Sequence, residues 1–236
     1  MISESFLIDG FKNNNNPYVI LKEAFSDSLE KFTSEIIDSI HEQGIKSVRS
    51  LEEIHKYCEQ DNINQIRINA FKVLNKINNW EKIIYQSIAP NINYILGLDL
   101  AIQTKLNLSI QMPNDSSSVL ESHIDYRSGD SPFQIVVWIP LTRAFSTNSM
   151  FIEYKEKKTF LNLEAGDILL FDPNYPHGNQ INTTDKTRVS LNVRFKNWFA
   201  PDLEDKVPDR QFGIYYKDLC FSNSTYNSFA LINNNK

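Results

Sequence analysis

Apolar residues recur every three or four positions in the N-terminal part of the chain, between about residues 25 and 95. The first run consists of Leu29, Phe32, Ile36, Ile37 and Ile40. This spacing predicts an amphipathic helix. Residues 63–74 repeat the spacing and predict another buried helix, and residues 80–88 predict a further short one. Between these segments, Ser50 precedes Glu53 by three positions, which predicts a capping box.

After about residue 100 the pattern changes from helical spacing to alternation. Residues 105–112 alternate between polar and apolar side chains, with Gln111 on the polar face. Residues 187–195 alternate in the same way, and their polar face carries Arg188, Ser190, Asn192 and Arg194. A period of two predicts strands with one face in an apolar core and the other face against a polar space.

Further short strands are predicted at 133–141, 149–154, 159–163 and 168–171, the last following a Gly166-Asp167 turn. Many short strands preceded by helices indicate a mainly β fold with N-terminal helices, whose core is a double-stranded β-helix, or jelly-roll barrel. We expect a single domain over 1–236. It divides into a helical support region (about 1–100), a jelly-roll core (about 101–200) and a C-terminal extension (about 201–236).

Composition narrows the possible partners and compartments. The 236 residues carry a net charge of -5 with no basic stripe, so nucleic acid is not an expected partner. No apolar stretch is long enough to span a membrane, and the N-terminus lacks the pattern of a signal peptide. The two cysteines form no CxxC motif, which favours a reducing compartment. We therefore expect a cytoplasmic protein acting on a small molecule, whose oligomeric state the sequence leaves open.

The candidate chemistry begins at His123 and Asp125. Side chains two positions apart in a strand point to the same side, so the imidazole and the carboxylate are expected to converge. His177 follows 54 positions later, behind the predicted strand 168–171, and about four short strands can bring it back to the pair. Two histidines and one carboxylate on one face are typical of non-haem Fe(II) sites that keep positions open for a co-substrate and oxygen.

Arg188 adds a candidate anion site on the polar face of a strand. A guanidinium binds a carboxylate through two hydrogen bonds, and Ser190, two positions further on, can add a third. This pair could hold the distal carboxylate of 2-oxoglutarate, with Gln111 as a further co-substrate candidate. Arg194 lies on the same face and is the alternative anchor.

These features together resemble the Fe(II)/2-oxoglutarate dioxygenase superfamily, particularly its phytanoyl-CoA-hydroxylase-like branch. Residues 107–115, 128–141 and 148–151 are similar to oxygenases of bacterial carbohydrate-biosynthesis clusters. The resemblance implies iron binding by His123, Asp125 and His177, and 2-oxoglutarate binding by Arg188 with Ser190. It also implies O2 as oxidant. The presence of Asp125 favours hydroxylation over halide transfer.

The expected substrate is a sugar or a sugar-containing metabolite, with an amino acid or a lipid-like acid as alternatives. Candidate substrate contacts are the polar and aromatic residues predicted to face the site, namely Asn107, Arg127, Gln134, Trp138 and Asn192. Two other classes remain open. A zinc hydrolase or cupin isomerase could use the same metal ligands, and a binding module could have kept the barrel without catalysis.

Overall fold

The computed structural model describes residues 16–201 and 212–234, and it contains four α-helices. They are α1 (Ser26–Glu42), α2 (Gln60–Leu74), α3 (Trp80–Leu96) and α4 (Asn223–Asn234). Helix α1 buries Phe32, Ile36 and Ile40, as its spacing predicts. Three helices thus precede the strand-rich part of the chain, where the sequence places them.

Three details of the helical region differ from the prediction. Ser50 caps a 3-10 helix (Leu51–Lys56) by accepting from the Glu52 amide, while the Glu53 carboxylate bonds Lys56 and does not complete a capping box. Helix α3 continues through Pro90 to Leu96, eight residues beyond the predicted end. Ile68, predicted to be buried, is 48% exposed, because the buried stripe of α2 runs through other positions of the helix.

In the described part of the chain, ten strands form two antiparallel sheets. Their bounds are β1 Tyr18–Leu21, β2 Leu100–Gln103, β3 Asn107–Gln111, β4 Gln134–Pro140, β5 Phe151–Tyr154, β6 Lys157–Phe160, β7 Ile168–Phe171, β8 His177–Gly178, β9 Arg188–Asn197 and β10 Tyr216–Cys220. The larger sheet has the order β1-β7-β4-β9-β2-β10, with β3 also pairing with β9. The smaller sheet has the order β6-β5-β8.

The two faces of the larger sheet pack against different partners. One face carries Val137, Ile139, Val189 and Leu191, which join helix residues in the main hydrophobic cluster. The other face carries Val136 and Trp138, which pack with Met150 and Ile152 from the smaller sheet region in a second cluster. The two sheets therefore enclose a space between them, and the predicted jelly-roll core with N-terminal helices is confirmed.

The described part of the C-terminal extension adds an edge strand to the larger sheet. Strand β10 pairs antiparallel with β2 at the sheet edge. Trp198 makes edge-on ring contacts with Phe199, Phe212, Phe221 and Phe229. Among the described residues, no helix combines the length and the apolar character needed to cross a bilayer.

Candidate metal centre

His177 and His123 are held side by side by a short antiparallel bridge. His177 opens β8, whose partner is β5. Each histidine donates its backbone amide to the carbonyl of the other at 3.0 Å. Four strands, β4 to β7, separate the two residues in sequence, as the 54-residue spacing predicts.

Asp125 reaches the histidines from a turn, which differs from the predicted strand. Ile124 is extended, but Asp125 begins a 3-10 helix (Asp125–Ser128). The Asp125 amide donates to the Pro173 carbonyl at 3.2 Å, which ties this turn to the loop before His177. The convergence predicted for His123 and Asp125 is nevertheless present, because the turn aims the carboxylate back at both imidazoles.

The three side chains present their electron-pair donors to one point. Oδ1 of Asp125 lies 3.3 Å from Nε2 of His123 and 3.4 Å from Nε2 of His177. One ligand atom from each residue lies within 4.8 Å of the others. Ligands bound at about 2.1 Å would be about 3.0–3.4 Å apart at octahedral to tetrahedral angles, so these carboxylate–imidazole separations fit a metal ion.

Backbone carbonyls fix the tautomer of both histidines. Nδ1 of His123 bonds the Glu121 carbonyl, and Nδ1 of His177 bonds the Tyr175 carbonyl, each at 2.9 Å. A neutral imidazole that donates through Nδ1 has its lone pair on Nε2. In this tautomer both Nε2 lone pairs and Oδ1 of Asp125 are directed at one point, which a metal ion can occupy. Without a metal ion, a proton on Nε2 can hydrogen-bond Oδ1 instead.

The electrostatics of the site also favour a positive charge next to Asp125. Burial works against the charged form of Asp125, but the hydrogen bonds from His123 and His177 and the charge of Arg194 hold its pKa far below the ordinary value. The hydrogen bond to Asp125 raises the pKa of His123. Both shifts indicate that the carboxylate attracts positive charge to this point.

Arg194 binds the other oxygen of the same carboxylate. Its Nη2 and Nε donate to Oδ2 of Asp125 at 2.7 and 3.1 Å. Burial disfavours the charged guanidinium, but Asp125 more than compensates and raises the pKa of Arg194. Arg194 is therefore already paired with a protein carboxylate.

Arg188 is buried at the other end of the same strand face and has neutral partners. Its guanidinium donates to the Asn148 carbonyl at 2.9 Å, to Ser190 Oγ at 2.5 Å and to Gln111 Oε1 at 2.9 Å. Among the described residues, no carboxylate lies within ion-pair distance of it. Burial lowers the pKa of Arg188 to about 10. A buried cation without a counter-ion favours an incoming anion.

A cavity of about 350 Å³ connects the histidines with both arginines. Its polar and charged lining consists of Ser109, Ser117, Ser118, His123, His177, Asn179, Arg188, Asn192 and Arg194, and its apolar lining includes Val136, Trp138, Met150 and Phe171. The cavity lies between the two sheets, because its walls come from β3, β4, β7, β8 and β9.

Of the five residues that the sequence suggests as substrate contacts, some line the cavity and others lie behind it or outside it. Trp138 and Asn192 line the cavity. Asn107 donates to the Asn192 side chain at 3.0 Å. Gln134 is buried and donates to Oδ2 of Asp125 at 3.4 Å, and Arg127 is exposed on the turn after Asp125.

The segment 117–120 and Asn179 also line the cavity, although the sequence did not single them out. Asn179 receives the Leu120 amide on its side-chain oxygen at 2.5 Å and donates to the Ser118 carbonyl at 3.0 Å. Gly178 permits this contact, since a Cβ there would lie 2.5 Å from the Leu120 carbonyl oxygen. The His-Gly-Asn sequence after a strand was the available signal.

Comparison with known proteins gives a partial sequence match and a shared fold. No protein-family model matches the chain. The streptomycin biosynthesis protein StrG of Streptomyces griseus is 35% identical over 81 residues, which are 34% of this chain and 39% of that protein. The match thus spans about two fifths of the curated relative.

Solved structures match over most of the chain at low identity. HygX of Streptomyces hygroscopicus, solved with nickel and 2-oxoglutarate, gives a TM-score of 0.55 at 11% identity, covering 93% of this chain and 98% of HygX. The non-heme monooxygenase ThoJ in its nickel complex gives 0.53 at 15%, covering 92% and 85%. The alpha-ketoglutarate-dependent epimerase SnoN from nogalamycin biosynthesis gives 0.51 at 15%, covering 89% and 94%. These likenesses show the fold.

Proposed function

We propose that this chain is an Fe(II)- and 2-oxoglutarate-dependent oxygenase that hydroxylates an unactivated C–H bond of a small metabolite. The observation that carries the proposal is the pairing, in one cavity, of a His-Asp-His ligand set with a buried arginine that lacks a protein carboxylate. A zinc hydrolase needs the metal ligands but has no use for a second, unpaired buried cation. The HxD, distal His and Arg-x-Ser spacing further supports a place in the phytanoyl-CoA-hydroxylase-like branch.

Each residue of the site has a proposed part in this chemistry. His123, Asp125 and His177 would hold Fe(II), and Arg188 with Ser190 and Gln111 would hold the distal carboxylate of 2-oxoglutarate. When bound, iron with 2-oxoglutarate and O2 supplies an oxidant strong enough for unactivated C–H bonds. Three of the five N–H groups of Arg188 bond neutral acceptors, which orient the guanidinium and leave two for the co-substrate.

The cavity wall supports a sugar or a sugar-containing intermediate as substrate. Ser109, Asn179 and Asn192 offer neutral donors and acceptors of the kind that pair with hydroxyl groups. The Trp138 ring offers a flat apolar surface for the C–H face of a sugar ring. The partial match to a streptomycin biosynthesis protein is in line with a biosynthetic role.

The test is turnover of 2-oxoglutarate, labelled at the carboxyl group next to the keto carbon, by the Fe(II)-loaded protein in air, with pools of nucleotide sugars and of amino acids. We expect labelled carbon dioxide and an equal amount of unlabelled succinate, stimulated by a sugar pool and absent in His123→Ala. Mass analysis of the stimulating substrate separates hydroxylation, which adds an oxygen atom, from epimerisation, which does not. Absence of both metal-dependent 2-oxoglutarate binding and turnover would refute the proposal.

A further inference from the structure

The Arg194 guanidinium concentrates its hydrogen bonds on a single oxygen of Asp125. Nη2 and Nε both donate to Oδ2, at 2.7 and 3.1 Å, so the fork does not span the two carboxylate oxygens. The Asp125 side chain is 2% exposed and that of Arg194 15% exposed, so water competes little for these bonds. The hydrogen bonds to Oδ2 therefore hold the Asp125 carboxylate in one orientation.

Two glutamines support this arrangement from neighbouring strands. Gln134 on β4 adds a longer bond from Nε2 to Oδ2 of Asp125, at 3.4 Å. The Tyr216 hydroxyl, on β10, donates to Oε1 of Gln134 and so orients its amide. Gln103 on β2 accepts from the Arg194 backbone amide at 3.2 Å and from Nη1 at 3.5 Å. Four strands of the larger sheet thus contribute to the position of one carboxylate.

This network leaves Oδ1 as the oxygen that faces the histidines. A carboxylate can bind a metal through one oxygen or chelate it through both. Chelation here would require Oδ2 to turn away from three N–H donors, two of them on the partly buried guanidinium of Arg194. Binding through Oδ1 alone preserves these bonds and keeps one more metal position open for co-substrate and oxygen.

We infer that Arg194 is a positioning residue that, with Gln134 and Tyr216, confines Asp125 to one-oxygen metal binding. The inference rests on the proposed metal site and deepens it. It gives Arg194 a role distinct from that of Arg188, because its donors are committed to a metal ligand. It also connects the C-terminal strand β10 to the metal centre through Tyr216.

The test compares Arg194→Gln, Arg194→Lys and Tyr216→Phe with wild type, using Co(II) titration followed by calorimetry and visible absorption. We expect Arg194→Gln to weaken Co(II) binding about 10- to 100-fold, the usual effect of removing a residue that orients a ligand. Its Co(II) spectrum should change as well, because Asp125 is free to chelate. Arg194→Lys keeps the charge with a single donor group and should recover part of the affinity. Tyr216→Phe should shift the affinity in the same direction by less.

Arg143→Gln is the matched control, since Arg143 is exposed and pairs with exposed Glu164; its Co(II) affinity should equal that of wild type. A purely structural role would lower the melting temperature of Arg194→Gln but leave Co(II) affinity and spectrum unchanged, and that result would overturn the inference. A loss of 2-oxoglutarate binding with normal Co(II) binding would overturn it too, by making Arg194 the anchor. If Arg194→Gln does not fold, unchanged Co(II) binding in Arg194→Lys and Tyr216→Phe refutes the idea. Failure of the proposed function itself differs, because the metal-loaded wild type then neither binds nor turns over 2-oxoglutarate, whatever the Co(II) affinities of the variants.

Discussion

Replacing Arg188 by Met should abolish most of the affinity for 2-oxoglutarate while the protein still folds. The substitution removes the guanidinium but keeps a side chain of similar length and apolar surface. Burial lowers the pKa of Arg188 from its ordinary value to about 10. A shift of this size corresponds to on the order of 3 kcal/mol of unfavourable free energy for the charged form.

A carboxylate placed against the guanidinium makes charge-assisted hydrogen bonds to it and stabilises its buried charge, so we expect a gain in affinity on the order of 3 kcal/mol. On the order of 3 kcal/mol corresponds to roughly a 100-fold change in dissociation constant. The variant also leaves Gln111, Ser190 and the Asn148 carbonyl without their donor, at about 1–3 kcal/mol each where no water replaces it. Removing the unpaired charge returns on the order of 3 kcal/mol, so we expect a net loss of unfolding free energy between about 0 and 6 kcal/mol.

Calorimetry with the Ni(II)-loaded protein measures the affinity without turnover, and urea denaturation measures the stability. A 2-oxo acid without the distal carboxylate, such as 2-oxobutyrate, is the control on the ligand side. Wild type should prefer 2-oxoglutarate by roughly 100-fold, and Arg188→Met should bind the two acids about equally. Arg143→Met, at an exposed arginine, should behave as wild type. A variant that retains the preference for 2-oxoglutarate would refute the assignment of Arg188.

Three further predictions concern the surroundings of the site. In metal-free protein, protonated His123 should stabilise the fold fully below about pH 6.5, and this stabilisation should be lost as pH rises through the raised pKa of His123. The affinity for Ni(II) should rise over the same pH range, because the metal binds the deprotonated imidazole. Urea denaturation of the metal-free protein and calorimetry with Ni(II), each measured across pH, test the two trends. Stability and Ni(II) affinity that change in the same direction would contradict the prediction. Gly178→Ala should cost about 1–3 kcal/mol in urea denaturation and weaken Ni(II) binding, because its Cβ would lie 2.5 Å from the Leu120 oxygen; unchanged values would contradict the close approach. Asp167→Ala should cost about 2–6 kcal/mol, since buried Asp167 accepts from the amides of Glu23 and Glu164, and leave Ni(II) affinity unchanged.

The strands of the larger sheet were the most predictable part of the fold. Strand β7 has the bounds that its apolar run predicts, and β9 begins one residue later and ends two residues further on. Their faces were predictable because a strand with one buried face fixes which residues point to the core. The end of α3 was not predictable from periodicity, since Pro90 and the residues beyond it carry no signal that separates a continued helix from a break.

The partners of the two inward arginines could not be predicted from the sequence. Arg188 and Arg194 share one strand face, so periodicity treats them alike. Their difference arises because the turn at Asp125 returns to one end of β9, where Arg194 lies, while β3 brings Gln111 to the other end, where Arg188 lies. Such placement depends on loop paths and on strand register. Periodicity therefore indicated a polar strand face with two cations, and only the Arg-x-Ser pairing and the resemblance favoured Arg188 as the anchor.

The same alternation separates the stability of the fold from the chemistry of the site. On β9, Val189, Leu191, Val193 and Phe195 are fully buried in the cluster that includes the helices. The residues between them point into the space between the sheets, where Arg188 and Arg194 meet the cavity. A slip of β9 by one residue would turn both arginines toward the helices and bury their charges in the apolar core. The free-energy cost of burying these charges disfavours such a slip. The core face of the strand thus holds the cavity face in register. Side chains that point into the cavity can therefore change with less effect on the core than their neighbours along the strand.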